Sequence, residues 1–209
     1  MTKFMRAGLG LVVLGLAVSA AHAWQMKPQP FSSEIAVTTK TGEKMPGKFY
    51  FSPPKLRMDM SSRGHDVSII TDGKTQTSDI IMAEQHMYME VQAGQSGPML
   101  PNIPKFDTSI DPSNPCATRP DVTCKKLGTE TVNGRTTDKW EFNDKKTNTT
   151  TTTWIDQKLA FPIKTLNSDG TSVEFSNIKE GAPAAALFEV PAGYRKLDLG
   201  GMMGGTRPR

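Results

Sequence analysis

The chain has 209 residues, of which 36% are apolar and 22% are charged, and its formal net charge is +4. Lys3 and Arg6 are the only Lys or Arg residues among the first 23, so the rest of the chain carries +2, too close to neutral for a typical nucleic-acid binder. The length allows a sizeable core, which excludes a small scaffold held together by disulfides alone.

The first 23 residues have the composition of a cleavable signal peptide. Lys3 and Arg6 give a basic start, an apolar run extends from Leu9 to Val18, and Ala21-His22-Ala23 is an A-x-A cleavage pattern. We expect cleavage before Trp24, and no cysteine follows that site to carry a lipid anchor. No later apolar run reaches the roughly 18 residues of a spanning helix, so we expect a soluble exported protein that does not span the membrane.

From residue 31 onward, apolar and polar residues alternate with a period of two, which predicts β-strands separated by short turns. Asn133-Gly134, between two such segments, is the strongest hairpin signal in the chain. The predicted strands are Phe31–Thr39, Gly47–Ser52, Lys55–Met60, Asp66–Asp72, Thr75–Ala83, His86–Val91, Lys125–Val132, Arg135–Asn143, Thr149–Asp156, Pro162–Asn167 and Ser172–Lys179. The pattern therefore predicts a mainly β fold, with a strongly curved antiparallel sheet that forms an open (half) barrel.

Helical signals are sparse. Residues 98 to 120 hold six of the fifteen prolines, which excludes a regular strand or a long helix there. We expect an irregular flap over the concave face, with one or two helical turns between Pro101 and Ile110, and a second short helix at Pro183–Leu187. Residues 24–199 are expected to form one domain, and residues 200–209 a disordered tail rich in Gly and Met.

Two cysteines, Cys116 and Cys124, stand eight positions apart in a chain that we expect to be exported. An even count in an oxidising compartment favours one local disulfide, which would pin the C-terminal end of the flap. A zinc site would need two further close ligands, and neither His65 nor His86 has ligand spacing from the cysteines. We predict no metal and no cofactor.

No motif in the chain indicates catalysis. Asp72-Gly73-Lys74-Thr75 is similar to the end of a P-loop, but it lies between two predicted strands and is expected to be a hairpin turn. Residues 94–97 lack the spacing of a nucleophile elbow, and two histidines without a surrounding motif give no support for a triad. We therefore predict no catalytic residues and no enzyme activity, since an enzyme would need titratable groups clustered in a cavity.

Methionine is frequent, with ten of the twelve residues following the predicted leader. Met58 and Met60 stand two apart in one predicted strand, and Met87 and Met89 in another, so each pair shares a face. Thioethers in such pairs suit either the lining of an apolar cavity or a Cu(I) site. Because alternation puts His86 on the opposite face from Met87 and Met89, lining is the favoured interpretation and copper binding the weaker alternative.

Several short motifs follow one another in a recognisable order between about residues 31 and 197. They are Gly47-Lys48-Phe49-Tyr50-Phe51 followed by Pro54 and Leu56, then Asp72-Gly73-Lys74-Thr75, Trp154-Ile155-Asp156, Phe161-Pro162-Ile163, Asp169-Gly170 and Leu187 to Tyr194. In this order the chain resembles the LolA/LolB lipoprotein-carrier superfamily, and more specifically the DUF4412 family. The resemblance implies an unclosed barrel of about eleven strands whose concave apolar face holds acyl chains. The carriers have an arginine before the proline that matches Pro54, whereas this chain has Pro53 there.

Together with the resemblance, these observations predict a secreted periplasmic protein that binds or carries a lipid, an acyl chain or another hydrophobic ligand. The candidate lining residues are Phe49, Phe51, Leu56, Met58, Met60, Met87, Met89, Trp140, Phe142, Trp154 and Phe188. The alternative is an envelope protein-interaction or sensor module with the same fold, which would expose an apolar patch to its protein partner. Alternation alone does not tell which face of the sheet is concave.

Overall fold

The computed structural model describes residues 27–62, 65–92 and 111–197. The predicted leader, the helical turns expected between Pro101 and Ile110, and the predicted tail fall outside these ranges. Within them the chain forms twelve strands and one short 3-10 helix, Ala185–Phe188. The strands are β1 Phe31–Thr38, β2 Lys44–Ser52, β3 Lys55–Ser62, β4 His65–Asp72, β5 Thr77–Met82, β6 Met87–Gln92, β7 Val122–Val132, β8 Arg135–Asp144, β9 Thr149–Asp156, β10 Phe161–Asn167, β11 Ser172–Glu180 and β12 Arg195–Lys196.

All the described strands belong to one sheet, in the order β12-β6-β5-β4-β3-β2-β1-β11-β10-β9-β8-β7. The chain therefore makes two meanders, β1 to β6 and β7 to β11, which join where β1 pairs with β11. Every pair is antiparallel except β12 with β6. The predicted mainly β, largely antiparallel architecture is confirmed, and the described strands form a single open layer with β12 and β7 at its edges.

Cross-strand register divides the side chains into two faces, because residues paired across a ladder point to the same side. We call the side that carries Phe49 and Phe51 the phenylalanine face, and the side that carries Tyr50 and Tyr88 the tyrosine face. On the phenylalanine face, five rings from four strands meet with centroids 4.9 to 6.4 Å apart. This phenylalanine cluster consists of Phe31, Phe49, Phe51, Phe161 and Phe175, and all five are buried.

Two glycines are required by the backbone. At the predicted β7–β8 hairpin, Asn133 and Gly134 both have positive φ, 50° and 76°, as a type I′ turn demands, which confirms the Asn-Gly signal. At Gly47, a Cβ atom would collide with the carbonyl oxygen of Asp59 on the neighbouring strand. Only glycine therefore lets β3 approach β2 so closely at this point.

Several strand boundaries differ from those expected. β2 begins at Lys44 instead of Gly47, because pairing with β1 continues through Pro46, a residue that usually argues against a strand. β7 begins at Val122 instead of Lys125, so Cys124 lies within the strand. The short helix predicted at Pro183–Leu187 is observed at Ala185–Phe188, so it begins two residues later and ends one residue later. β12 has only two residues and was not predicted.

After β11 the chain covers part of the tyrosine face. Phe188 packs there against Ile70 and Ile81, with Tyr50 and Tyr88 alongside. The guanidinium of Arg57, a half-buried residue on this face, donates a hydrogen bond of 3.0 Å to the carbonyl oxygen of Leu187. The C-terminal segment then pairs with β6 as β12, where Lys196 contacts Glu90 at 2.9 Å. The tyrosine face of β3 to β6 is thus occupied by the chain itself.

Candidate functional site

The cross-strand register divides the predicted lining residues unequally between the two faces of the sheet. Nine of the eleven lie on the phenylalanine face: Phe49, Phe51, Leu56, Met58, Met60, Met87, Met89, Trp140 and Phe142. Trp154 alternates in β9 with Thr151 and Thr153, but it packs in the same buried core as the five phenylalanines. Phe188 lies on the tyrosine face, because the chain crosses to that face after β11.

Trp154 is held by charged neighbours. Its indole N–H donates a 2.6 Å hydrogen bond to Glu130, and the Nζ atoms of Lys139 and Lys164 lie 5.0 and 5.4 Å from its ring centroid. Hydrogen bonds from Lys139 and then from Trp154 lower the pKa of Glu130 below its usual value. The buried ring therefore contacts charged groups while it packs in the same core as the phenylalanine cluster.

A second feature of the phenylalanine face is a set of apolar rows across β3 to β6. One row pairs Met60, Val67, Met82 and Met87 in register, and the next pairs Met58, Ile69, Ile80 and Met89. We call Met58, Met60, Met82, Met87 and Met89 the methionine strip. Met89 is buried, and the other four are half-buried.

Sequence reasoning missed Met82. The signal that identifies it is the alternation of β5 itself, which puts Met82 on the same side as Ile80. With Met82 included, the half-buried row crosses four neighbouring strands without a polar interruption. Met58 packs against the buried core that contains the phenylalanine cluster, so the methionine strip adjoins this cluster.

A pocket opens on the same face at the other end of the sheet. The predicted disulfide between Cys116 and Cys124 is present, with its Cα atoms 5.9 Å apart, and it ties the loop at residues 111–121 to β7. Between this loop and the sheet lies a pocket of about 230 Å³, which we call the disulfide-side pocket. It is lined by Pro115 and Arg119 of the loop and by Val122, Phe142, Thr151, Thr153 and Ile155, among others, of the sheet.

Two hydrogen-bond donors near this pocket have no acceptor in the described part of the chain. The Nε1 atom of Trp140 is buried, and no acceptor among the described residues reaches it. The guanidinium carbon of Arg119 lies 5.9 Å from the centroid of the Phe142 ring, and within residues 27–62, 65–92 and 111–197 no carboxylate forms an ion pair with this arginine. The sequence pattern identified Trp140 as a candidate but gave no sign of Arg119.

The described part of the chain offers little support for a metal site. It contains no group of three or more His, Cys, Asp or Glu side chains that could hold an ion. His86, which the copper alternative would use, sits in the β5–β6 turn with φ of 51°, and its ring lies 5.3 Å from that of Tyr194. No helix of the described ranges has the length and apolar character needed to cross a membrane.

Comparison with protein families identifies the chain. The family model of DUF4412, a domain of unknown function, matches residues 32–160, more than half of the sequence. The chain therefore belongs to the DUF4412 family, which confirms the resemblance drawn from its motifs. Comparison with curated proteins finds no match.

Solved structures with a similar fold come from several bacteria. An uncharacterized conserved protein from Thermus thermophilus has a TM-score of 0.54 at 9% identity, over 81% of this chain and 90% of that one. The Pseudomonas aeruginosa MucA/MucB complex gives 0.53 at 16% identity, over 79% of this chain and 57% of that one. A LolA superfamily protein from Nitrosomonas europaea gives 0.37 at 9% identity, over 79% and 92%. At these identities the likeness concerns the fold alone.

Proposed function

We propose that this member of the DUF4412 family binds a lipid or another hydrophobic ligand on the phenylalanine face of its sheet, outside the cytoplasm. The observation that carries the proposal is the methionine strip, where four of five methionines stay half-buried in register across β3 to β6. Covering apolar surface yields about 25 cal/mol per Å², so a contiguous half-buried row favours an apolar occupant. Methionine also adapts to ligands of variable shape.

Ring contacts within the phenylalanine cluster support a sheet that bends toward this face. The rings of Phe51 and Phe161 lie 4.9 Å apart, although β1 and β11 stand between their strands. In a flat sheet, strands three positions apart are separated by roughly 14 Å. Bending toward the phenylalanine face brings the two rings together, and the close approach at Gly47 is typical of such a bend. We infer an open, curved sheet with the phenylalanine face concave.

The disulfide and the predicted leader support the proposed compartment. A Cys116–Cys124 bridge persists in an oxidising environment such as the periplasm. The basic start, apolar run and A-x-A pattern of the first 23 residues agree with export. A periplasmic protein with an apolar concave face would hold or carry lipids between membranes without chemical change to them.

The proposal is tested by purifying the protein from periplasm without detergent and examining it by native mass spectrometry and lipid extraction. We expect a bound lipid in the wild-type protein, and its loss from Met87→Asp, which adds a charge to the methionine strip. Gln85→Asp adds the same charge two residues away in an exposed turn and should retain the lipid. No lipid in the wild-type protein, together with no binding of a fluorescent fatty acid to the emptied protein, contradicts the proposal.

A second candidate function is an envelope protein-interaction module, favoured by the shared fold with a protein of the MucA/MucB complex. Among the described strands β7 is an edge of the sheet, and Leu127 near its middle is 44% exposed. An extended segment of a protein partner can add to such an edge by main-chain hydrogen bonds. A photoreactive residue at position 127 that crosslinks one envelope protein, in a chain free of lipid, supports this candidate. Absence of any crosslink opposes it.

A further inference from the structure

We infer that the disulfide-side pocket receives the carboxylate end of a long-chain carboxylate, with Arg119 as its cation and the indole N–H of Trp140 as a second donor. The inference rests on the proposed function, since it names the class of hydrophobic ligand. A carboxylate carried by an apolar chain combines the two features that the pocket presents.

The walls of the pocket are amphipathic. Val122, Phe142 and Ile155 give apolar surface, while Thr151 and Thr153 present hydroxyl groups from β9. Its volume of about 230 Å³ falls below the roughly 300 to 1,000 Å³ of pockets that enclose a whole drug-sized ligand. The pocket therefore fits one end of a long ligand, and the remainder would continue along the phenylalanine face.

Arg119 is placed by the disulfide-bonded loop. Its backbone N–H donates a 2.9 Å hydrogen bond to the carbonyl oxygen of Cys116, so the residue stands one turn from the bridge. Its guanidinium lies 5.9 Å from the Phe142 ring centroid and has no acidic ion-pair partner among the described residues. Arginine binds carboxylates through two parallel hydrogen bonds, which gives both charge and geometry to a ligand's acidic end.

Trp140 provides an independent observation. Only 8% of its surface is exposed, and its indole N–H finds no acceptor in the described chain, whereas buried donors are nearly always paired. Trp140 does not itself line the pocket, but it stands two residues before Phe142 on the same face of β8 and pairs in register with Thr153, and both of these residues line it. A ligand oxygen near Phe142 would satisfy this donor.

Two other charged groups beside the pocket are already engaged. Asp144 lines it, and the backbone N–H groups of Lys146 and Thr147 donate to its carboxylate at 2.8 and 3.2 Å and lower its pKa. The charge of Arg119 lowers this pKa to a smaller extent, although the two side chains form no ion pair. Lys126, 5.9 Å from the centroid of the Trp140 ring, pairs with Asp138 at 2.9 Å. Arg119 is thus, among the described residues at the pocket, the cation with donors available to a ligand.

The test compares three probes of equal length, hexadecanoic acid, hexadecanol and hexadecylamine, in competition with a fluorescent fatty acid at pH 8. The wild-type protein should prefer the acid over the alcohol by about tenfold, as a charge-assisted hydrogen bond implies, and bind the amine more weakly than the alcohol. Arg119→Gln should remove the preference for the acid and leave the affinity for the alcohol unchanged. Lys74→Gln, an exposed lysine in the β4–β5 turn, is the matched control and should behave as wild type.

The outcomes separate this inference from the proposed function. If the alcohol binds and the acid binds no better, or if Arg119→Gln weakens both alike, the carboxylate site is refuted while the hydrophobic ligand remains. If none of the probes binds, the proposed function itself fails. Trp140→Phe keeps an aromatic ring but removes the donor, and a selective loss for the acid in this variant supports the second contact.

Discussion

The phenylalanine cluster and the methionine strip lie on the same face of the same sheet, yet they differ in how their apolar surface is covered. In the cluster, Phe31 and Phe51 are fully buried because rings from β1, β2, β10 and β11 pack against one another. In the strip, four of the five methionines remain half-buried in rows across β3 to β6. One part of the face therefore stabilises the fold, whereas the other retains partly exposed apolar surface, which the proposed ligand would cover.

The largest expected effect separates the two regions by stability. Phe51→Ala removes a fully buried ring that contacts Phe31 and Phe161, and should lower the free energy of unfolding by about 3 to 5 kcal/mol. Met87→Ala truncates a half-buried side chain and should cost less than about 2 kcal/mol. Urea unfolding followed by tryptophan fluorescence measures both values. Equal losses would contradict the distinction between cluster and strip.

The disulfide should have an intermediate effect. Replacing Cys116 and Cys124 by Ser frees the loop at residues 111–121, and by chain entropy should lower the free energy of unfolding by roughly 2 to 3 kcal/mol. Because Pro115 and Arg119 of this loop line the disulfide-side pocket, the variant should lose the preference for acids over alcohols while the methionine strip still binds apolar chains. An unchanged acid preference would show that the loop does not position Arg119.

The smallest expected effect concerns Asp79, which lies on β5 next to Ile80 but on the tyrosine face. Burial, and then repulsion from Glu90 opposite, raise the pKa of Asp79 above its usual value. The carboxyl group of Asp79 therefore binds its proton more tightly in the folded protein than in the unfolded chain. The ionised carboxylate lowers stability at neutral pH, and this penalty shrinks as the pH falls through the raised pKa and is gone only below the usual value of 3.8.

Asp79→Asn should accordingly raise the free energy of unfolding at pH 7 slightly, within about 0.5 kcal/mol because solvent screens the exposed side of the group. Thermal unfolding at pH 7 and pH 4 measures the difference, which should be smaller at the lower pH. Because the substitution is on the tyrosine face, ligand binding should not change. A gain as large at pH 4 as at pH 7 would contradict the assigned cause.

The strands could be predicted because their alternation reflects one covered and one wetter face, and the Asn133-Gly134 turn because its backbone requires positive φ. β12 could not, since two residues pairing in parallel with β6 leave no periodic signal. The strands of the phenylalanine cluster and of the methionine strip show the same alternation in the sequence. How deeply their side chains are buried depends on which distant strands supply covering rings, and the alternation does not show this.

Two site residues illustrate the same limit. Arg119 reaches the pocket through a loop fixed by a disulfide, and its neighbour Phe142 is 23 positions further along the chain, a relation that no local pattern encodes. Trp154 belongs to a motif that carries the family resemblance, yet the residues of this motif stabilise the fold. Asp156 of the same motif is buried, pairs with Arg135 and accepts hydrogen bonds from the backbone of Lys158 and Leu159.

The central claim is that the phenylalanine face, through the methionine strip, holds an acyl chain. Titrating the emptied protein with saturated fatty acids of 8 to 16 carbons tests it most directly. Since each buried CH₂ contributes about 0.8 kcal/mol, affinity should rise by up to roughly fourfold per added carbon until the chain outgrows the face. The rise should be lost in Met87→Asp and kept in Gln85→Asp. An affinity independent of chain length in the wild-type protein would contradict the claim.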